Sequence, residues 1–150
     1  MENRLAKGVE YIGICVSFFV HDGKGNFVMS KRGQNARDEQ GIWDIGGGGV
    51  DFGKTIEETL RDEIKEEYCA DILRTDFLGY RNIFRVHNDK NTHWISFDFK
   101  VLVDPIMVKN GEPHKLDAVS WFTFETIPDN TYSQFSNFFN LHKEKLINNI

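Results

Sequence analysis

Four consecutive glycines, Gly46 to Gly49, lie just upstream of a segment that starts at Thr55 and runs IEETLRDEIKEEYCADI. Each glycine in a row is costly to order, because glycine loses more chain entropy on folding than any other residue. Such a run is retained where backbone must pass close to something that a Cβ would block, and a metal or phosphate fits that need. It reads here as a glycine loop. The segment after it predicts a helix from Thr55 to about Cys69. Thr55 and Glu58 stand in capping-box spacing, and Ile56, Leu60, Ile64 and Tyr68 recur every four residues as one apolar stripe.

The charge on this helix is unusual. At 100° per residue, Glu63 and Glu67 lie about 40° apart and Glu66 about 60° to the other side of Glu63. Three carboxylates therefore share one arc, and like charges at this spacing repel. Glu67 also falls within the apolar stripe, so it is expected to point toward protein. A divalent cation would turn the repulsion into coordination. Oxygen-only ligands suit Mg²⁺ or Mn²⁺, and Mg²⁺ usually shares its site with substrate phosphates. The alternative is a solvated acidic helix face beside a glycine turn, with no metal.

The rest of the chain is consistent with one layered domain spanning residues 1–150. Residues 11–20 read as a buried strand, 21–26 as a turn, and 27–31 as the returning strand of a hairpin. Residues 33–41 read as a loop. Residues 76–86 predict a strand interrupted near Gly79. Residues 93–103 alternate, with Ile95, Phe97, Phe99, Val101 and Val103 on one face and Ser96, Asp98 and Lys100 on the other. Residues 104–115 form a loop, 119–124 a last strand, and 134–147 a terminal helix. Strands and helices mixed in this order predict an α/β fold with a mixed sheet between layers.

Composition removes several classes of function. The net charge of -5 and the lack of a basic run argue against long nucleic acid as partner. A single nucleotide stays open, since a bound cation can screen its phosphates. Cys15 and Cys69 supply neither a disulfide framework nor metal-ligand spacing, and are expected as free thiols. The apolar stretch 11–20 is too short to span a bilayer and no cleavage-site pattern follows it. No membrane association and a cytoplasmic location are therefore expected.

Residues 48–70 resemble the Nudix box, G-x5-E-x7-R-E-U-x-E-E-x-G-U with U aliphatic. Gly48, Glu63, Ile64, Glu66 and Glu67 match in register, and Trp43 and Gly47 fit the usual approach. The resemblance to the MutT-like Nudix hydrolases implies an α/β/α sandwich. It also implies Mg-dependent hydrolysis of a nucleoside diphosphate linked to another group, with a nucleoside triphosphate or a modified one favoured by the compact length. Glu63, Glu66 and Glu67 become the catalytic residues and metal ligands, and the Gly48 carbonyl an additional ligand. A metal-activated water then attacks phosphorus. The family also commonly forms homodimers.

Three positions depart from the box. Lys54 stands where it has Glu, Asp62 where it has Arg, and Cys69 where it has Gly. Lys54 and Asp62 reverse charge together and are expected to form an ion pair docking the loop to the helix. The change at Cys69 costs little provided that position needs no positive φ. Because an orienting arginine is missing, a second reading is a catalytically weak Nudix-like module that binds or senses a nucleotide.

Outside the box, Arg32 is either a phosphate clamp or a solvated strand end. Glu112 lies in the region where some family members keep another metal ligand or base, but reads better as a surface residue. Trp94, Phe18 and Phe135 are expected in the core rather than stacked on a base. The five histidines, His21, His87, His93, His114 and His142, read as surface or turn residues.

Overall fold

A computed structural model describes residues 5–148. In chain order the elements are β1 (Gly13–His21), β2 (Phe27–Arg32), β3 (Trp43–Asp44), β4 (Gly46–Gly49), α1 (Ile56–Tyr68), β5 (Ile72–His87), β6 (Lys90–Val103), β7 (Leu116–Phe122) and α2 (Phe135–Asn148), with a 3-10 turn at Pro105–Met107 before β7. The strands form one mixed sheet in the order β3-β2-β1-β6-β5, with β4 added to β1 and β7 to β2. β1 runs parallel to β6 along its full length. All the other pairings are antiparallel.

One apolar cluster lies between the sheet and α1, built on Val16, Phe18, Leu60, Ile64, Tyr68, Phe99 and Val101. A second lies against α2, with Phe19, Phe27, Met29, Phe135, Phe138 and Leu146. A helix on each face makes the α/β/α sandwich that the alternation of elements predicts. Among the described residues no helix is long and apolar enough to cross a membrane.

Helix α1 begins as its sequence requires. The Thr55 hydroxyl accepts the Glu58 N–H at 3.0 Å, and Leu60, Ile64 and Tyr68 are buried. Its end differs from the expectation at one point. Cys69 is in the left-handed region at φ 59°, so the position does need a positive φ and the exchange from the family's glycine carries a steric penalty.

Other elements also depart from the sequence reading. Gly46–Gly49 is a strand, pairing with Phe18–Cys15 of β1, and not a loop. A strand without side chains carries no alternation to read, and its signal lies entirely in the partner it pairs with. The last strand covers Leu116–Phe122, three residues earlier than expected at its start and two at its end. The polar face of β6 is fully enclosed: Ser96, Asp98 and Lys100 are all buried. Two histidines leave the surface class with it. His142 on α2 reaches Asp98 at 2.7 Å. Buried His21 is pushed down to about 4, chiefly by desolvation and then by Lys100 and Arg74, so its ring is neutral.

Candidate active site

The glycine strand exists because α1 and β1 crowd it from both sides. A Cβ on Gly46 would lie 2.0 Å from the Phe18 ring, and one on Gly48 would lie 2.3 Å from the Glu63 carboxyl carbon. Backbone is thereby laid directly against the acids of α1. Glu63, Glu66 and Glu67 then take three different environments. Glu66 is exposed. Glu63 is half-buried against Gly48, and its carboxyl is pushed up to about 7 by desolvation and by Glu66 and Glu112 beside it. Glu67 is buried, and desolvation followed by repulsion from Glu63, Glu112 and Asp44 holds its proton well above the carboxylate range. The Gly47 N–H donates to it. Its Oε2 is buried without a hydrogen-bond partner among the described residues.

Glu112 belongs to this group and not to the open surface. The loop before β7 is stitched to the end of α1, where helical carbonyls lack partners of their own. The Lys109 N–H donates to the Tyr68 carbonyl and the Gly111 N–H to the Glu67 carbonyl, at 3.1 and 2.9 Å. Gly111 lies so close that a Cβ there would be 2.1 Å from the Glu66 carbonyl oxygen. The next residue, Glu112, is thereby brought within electrostatic reach of both Glu63 and Glu67. The only hint in the sequence was the glycine before it.

Lys54 and Asp62 form the expected ion pair, Nζ to Oδ2 at 2.8 Å, with both side chains nearly half-exposed. This pair ties the segment before Thr55 to the outer side of α1.

A cleft of about 270 Å³ opens from Glu67 and the glycine strand across the α2 side of the sheet. Arg32, Arg37, Arg81 and Arg85 line it, with Trp94, Tyr132, Phe135 and Phe138 as apolar wall. A chain of net negative charge thus gathers guanidinium groups beside its carboxylates. Arg32 is on this wall, but Asp38 holds it through a carbonyl at 3.1 Å and a carboxylate at 2.8 Å. Arg85 shares Asp38 and also reaches Glu39, at 2.7 and 2.8 Å, and both guanidiniums flank the Tyr132 ring. Asp44, also on the wall, is pushed up to about 7 by burial against the pull of Arg32. Phe18 and Phe135 are in the core as expected, Phe135 with one side on the cleft, whereas Trp94 is a partly exposed part of the cleft wall. Sequence reasoning missed Arg81 and Arg85. Their period-two spacing with Ile83 and His87 on β5 is the signal that places them on one face.

The donors fit a divalent cation in chemistry: carboxylates crowded together, one carboxylate oxygen without a partner, and a glycine carbonyl strand alongside. Among the described residues, no three His, Cys, Asp or Glu groups converge on one point in this side-chain arrangement. An ion would have to draw the carboxylates together.

A carboxylate helix packed on a glycine strand, inside an α/β/α sandwich and facing an arginine-lined cleft, defines a hydrolase of phosphoric anhydrides. The model of the NUDIX domain matches residues 12–140, and the chain belongs to the Nudix family, pyrophosphohydrolases that cleave nucleoside diphosphate derivatives with divalent metals. The structure is similar to a MutT NUDIX hydrolase from Burkholderia pseudomallei, with a TM-score of 0.77 and 20% identity over 88% of this chain and 98% of that one. It is similar to a MutT protein from Methanosarcina mazei Go1 at TM-score 0.69 and 26% identity, covering 89% and 94% of the two chains. A third likeness is to a bifunctional NMN adenylyltransferase/ADP ribose pyrophosphatase from Francisella tularensis, complexed with AMP and a manganese ion. Its TM-score is 0.67 at 14% identity, over 91% of this chain and 42% of that one.

Proposed function

We propose that this chain, as a single Nudix domain, hydrolyses a nucleoside diphosphate linked to another group. A nucleoside triphosphate or a modified one is the favoured substrate, and Mg²⁺ the favoured ion, with Mn²⁺ able to replace it. The observation that carries this reading is the pair Glu63 and Glu67, crowded on one side of α1 against the Gly48 backbone, with one Glu67 oxygen buried and without a partner among the described residues, at the edge of an arginine-lined cleft. Glu63, Glu66, Glu67 and the Gly48 carbonyl would hold the ion. When bound it supplies charge neutralisation at the phosphate oxygens and a water of lowered pKa for attack on phosphorus. Arg37, Arg32 and Arg85 draw in the anionic substrate, Arg32 and Arg85 at the cost of contacts to Asp38 and Glu39, while Arg81 stays paired with Asp98. Trp94 and Phe135 shield the base end from water. Glu112 adds a further acid next to Glu63.

A panel of nucleoside triphosphates and diphosphate-linked nucleosides, assayed with Mg²⁺ or Mn²⁺ for phosphate or pyrophosphate release, tests this. Release that disappears in Glu63→Gln is the expected result. Tight nucleotide binding with no release from any member would replace the enzyme by a binding module, the outcome that Lys54 and Asp62 in place of the box residues would explain.

A further inference from the structure

Arg81 differs from the other arginines of the cleft. Arg32 and Arg85 are partly buried and Arg37 is exposed, whereas Arg81 is only 9% exposed. Its guanidinium grips Asp98 side-on, through Nε at 2.6 Å and Nη2 at 3.1 Å, and Nη2 also reaches the Ser17 hydroxyl at 3.3 Å. Ser96 and His142 hold Asp98 in turn, each at 2.7 Å. A planar guanidinium gripped through Nε and Nη2 turns Nη1 to its opposite edge. Asp98, Ser96 and His142 lie behind the cleft wall, while Arg81 and Ser17 are on it, so the free edge is the one toward the cleft. There Nη1 is buried and has no hydrogen-bond partner among the described residues. A buried N–H without an acceptor is costly, and a site that awaits an acceptor from a ligand accounts for it.

The surroundings select the kind of acceptor. Asp98 already balances the charge of Arg81, and the Phe138 ring lies 5.2 Å from the guanidinium carbon. Ile83, the next residue of β5 on this face, pairs with Trp94, and both are on the wall with Phe135. A phosphate placed here would bring charge into an apolar region with no free counter-charge. A neutral, flat ring with an acceptor on its edge meets both the apolar wall and the free N–H. Arg85, four residues along β5 and so about 13 Å away, has the opposite character, being partly exposed and held by loop acids that an anion can displace.

We infer that Arg81 is a specificity-determining residue whose Nη1 donates to a ring carbonyl of the nucleobase, selecting 6-oxo purines and 4-oxo pyrimidines. This rests on the nucleotide reading of the cleft given above. Adenine and cytosine carry an amino group at the same position, which donates as the guanidinium does, so Nη1 would stay unpaired against a second donor. The placement suits a nucleotide. Ser17, which Arg81 touches, pairs across the sheet with Gly47, and the Gly47 N–H bonds Glu67. The base-reading atom and the crowded acids therefore belong to neighbouring strands of one cleft.

Matched nucleotides test this. Inosine and purine riboside triphosphates differ at the C6 carbonyl with its ring proton, and uridine and 4-deoxyuridine triphosphates differ likewise at C4. In at least one pair the wild type should favour the carbonyl form by at least about tenfold in kcat/KM. The corresponding monophosphates should bind in the same order by calorimetry. Arg81→Lys keeps a cation for Asp98, but a compact ammonium cannot also serve the far edge. It should bring the ratio below about threefold, with turnover of the form lacking the carbonyl held near that of the wild type. Arg81→Gln replaces it should Arg81→Lys fold poorly. A wild type that treats both pairs alike overturns the inference, and so does a ratio that survives in the folded variant. Equal losses on both members of a pair leave the ratio unchanged and make Arg81 purely structural, which also overturns it. If no triphosphate is hydrolysed, the hydrolase reading fails, and the monophosphate binding ratio alone upholds or overturns the role of Arg81.

Discussion

Two buried acids in this molecule have opposite surroundings. Asp98 is fully enclosed, yet each of its oxygens is matched. Arg81 reaches it through Nε at 2.6 Å and Nη2 at 3.1 Å, Ser96 donates at 2.7 Å, and His142 closes the set at 2.7 Å. Glu67 is buried as well, but its neighbours are Glu63, Glu112 and Asp44, and one of its oxygens has no partner among the described residues. A matched buried charge fixes the packing of a sheet against a helix. A set of crowded acids is held in a strained protonation state and gains if a cation arrives. The difference separates a structural carboxylate from the candidate active site without reference to sequence motifs.

The largest effect should come from removing each acid. Glu67→Gln keeps the shape, discards the repulsion, and removes one of the proposed ligands of an ion that would stabilise charge on the phosphate by several kcal/mol. Turnover should fall at least about 100-fold, while the metal-free protein melts no lower than the wild type. Asp98→Asn should do the reverse. It leaves a buried guanidinium without its charge partner, a loss of about 3–5 kcal/mol, with turnover per folded molecule reduced far less. Denaturant melts and saturating rates on both variants check the pair. If Glu67→Gln destabilises as much as Asp98→Asn, the contrast between the two acids is wrong.

Ion binding comes next. At a concentration 100 times its dissociation constant, Mg²⁺ should add about 2.7 kcal/mol to wild-type stability, and little to Glu67→Gln. Because the ion binds deprotonated carboxylates, the gain should be larger at about pH 8 than at about pH 6. Thermal melts with Mg²⁺ and with chelator at both pH values measure it.

Without metal, the pH dependence should take the sign the crowding sets. Glu63 moves from 4.5 to about 7, and Asp44 from 3.8 to about 7. Across that window the folded state keeps protons that the unfolded chain has released. Stability from these groups is therefore greatest below their unfolded values and is lost as pH rises through about 7. A melting curve in chelator should show the midpoint falling between about pH 5 and pH 8. A midpoint that rises over this range would mean the acids are already matched.

Local chemistry made α1, its Thr55 cap, the β1–β2 turn and the interruption at Gly79 legible in the sequence, because each is encoded within a few residues. The shared arc of Glu63, Glu66 and Glu67 was readable from helical angle, while Gly48 entered only through the resemblance to the Nudix box. What stayed hidden depends on distant chain. Gly46–Gly49 becomes a strand only through β1. Asp98 looks like an outward polar residue until α2 lays His142 on it. Glu112 looks exposed until Gly111 lets its loop lie on the end of α1. Cys69 gave no sign of its left-handed backbone except by standing where the family has glycine.

The smallest effect should come from the Lys54–Asp62 pair, which is matched like Asp98 but half-open to water. Exposed pairs contribute about 0.2–1 kcal/mol and are screened by salt. Lys54→Ala and Asp62→Ala should each lower stability within that range, and their coupling in a double-mutant cycle should shrink at high salt. The pair does not touch the cleft, so saturating rates should change only a few-fold. Asp62→Arg is the sharper test, because it breaks the pair and restores the family's cation beside Glu63. If that substitution raises turnover while stability falls, the reversed pair anchors the segment before Thr55 at the expense of orienting the acids. If turnover is unmoved, charge matching on the outer side of α1 is independent of the unmatched acids on its inner side.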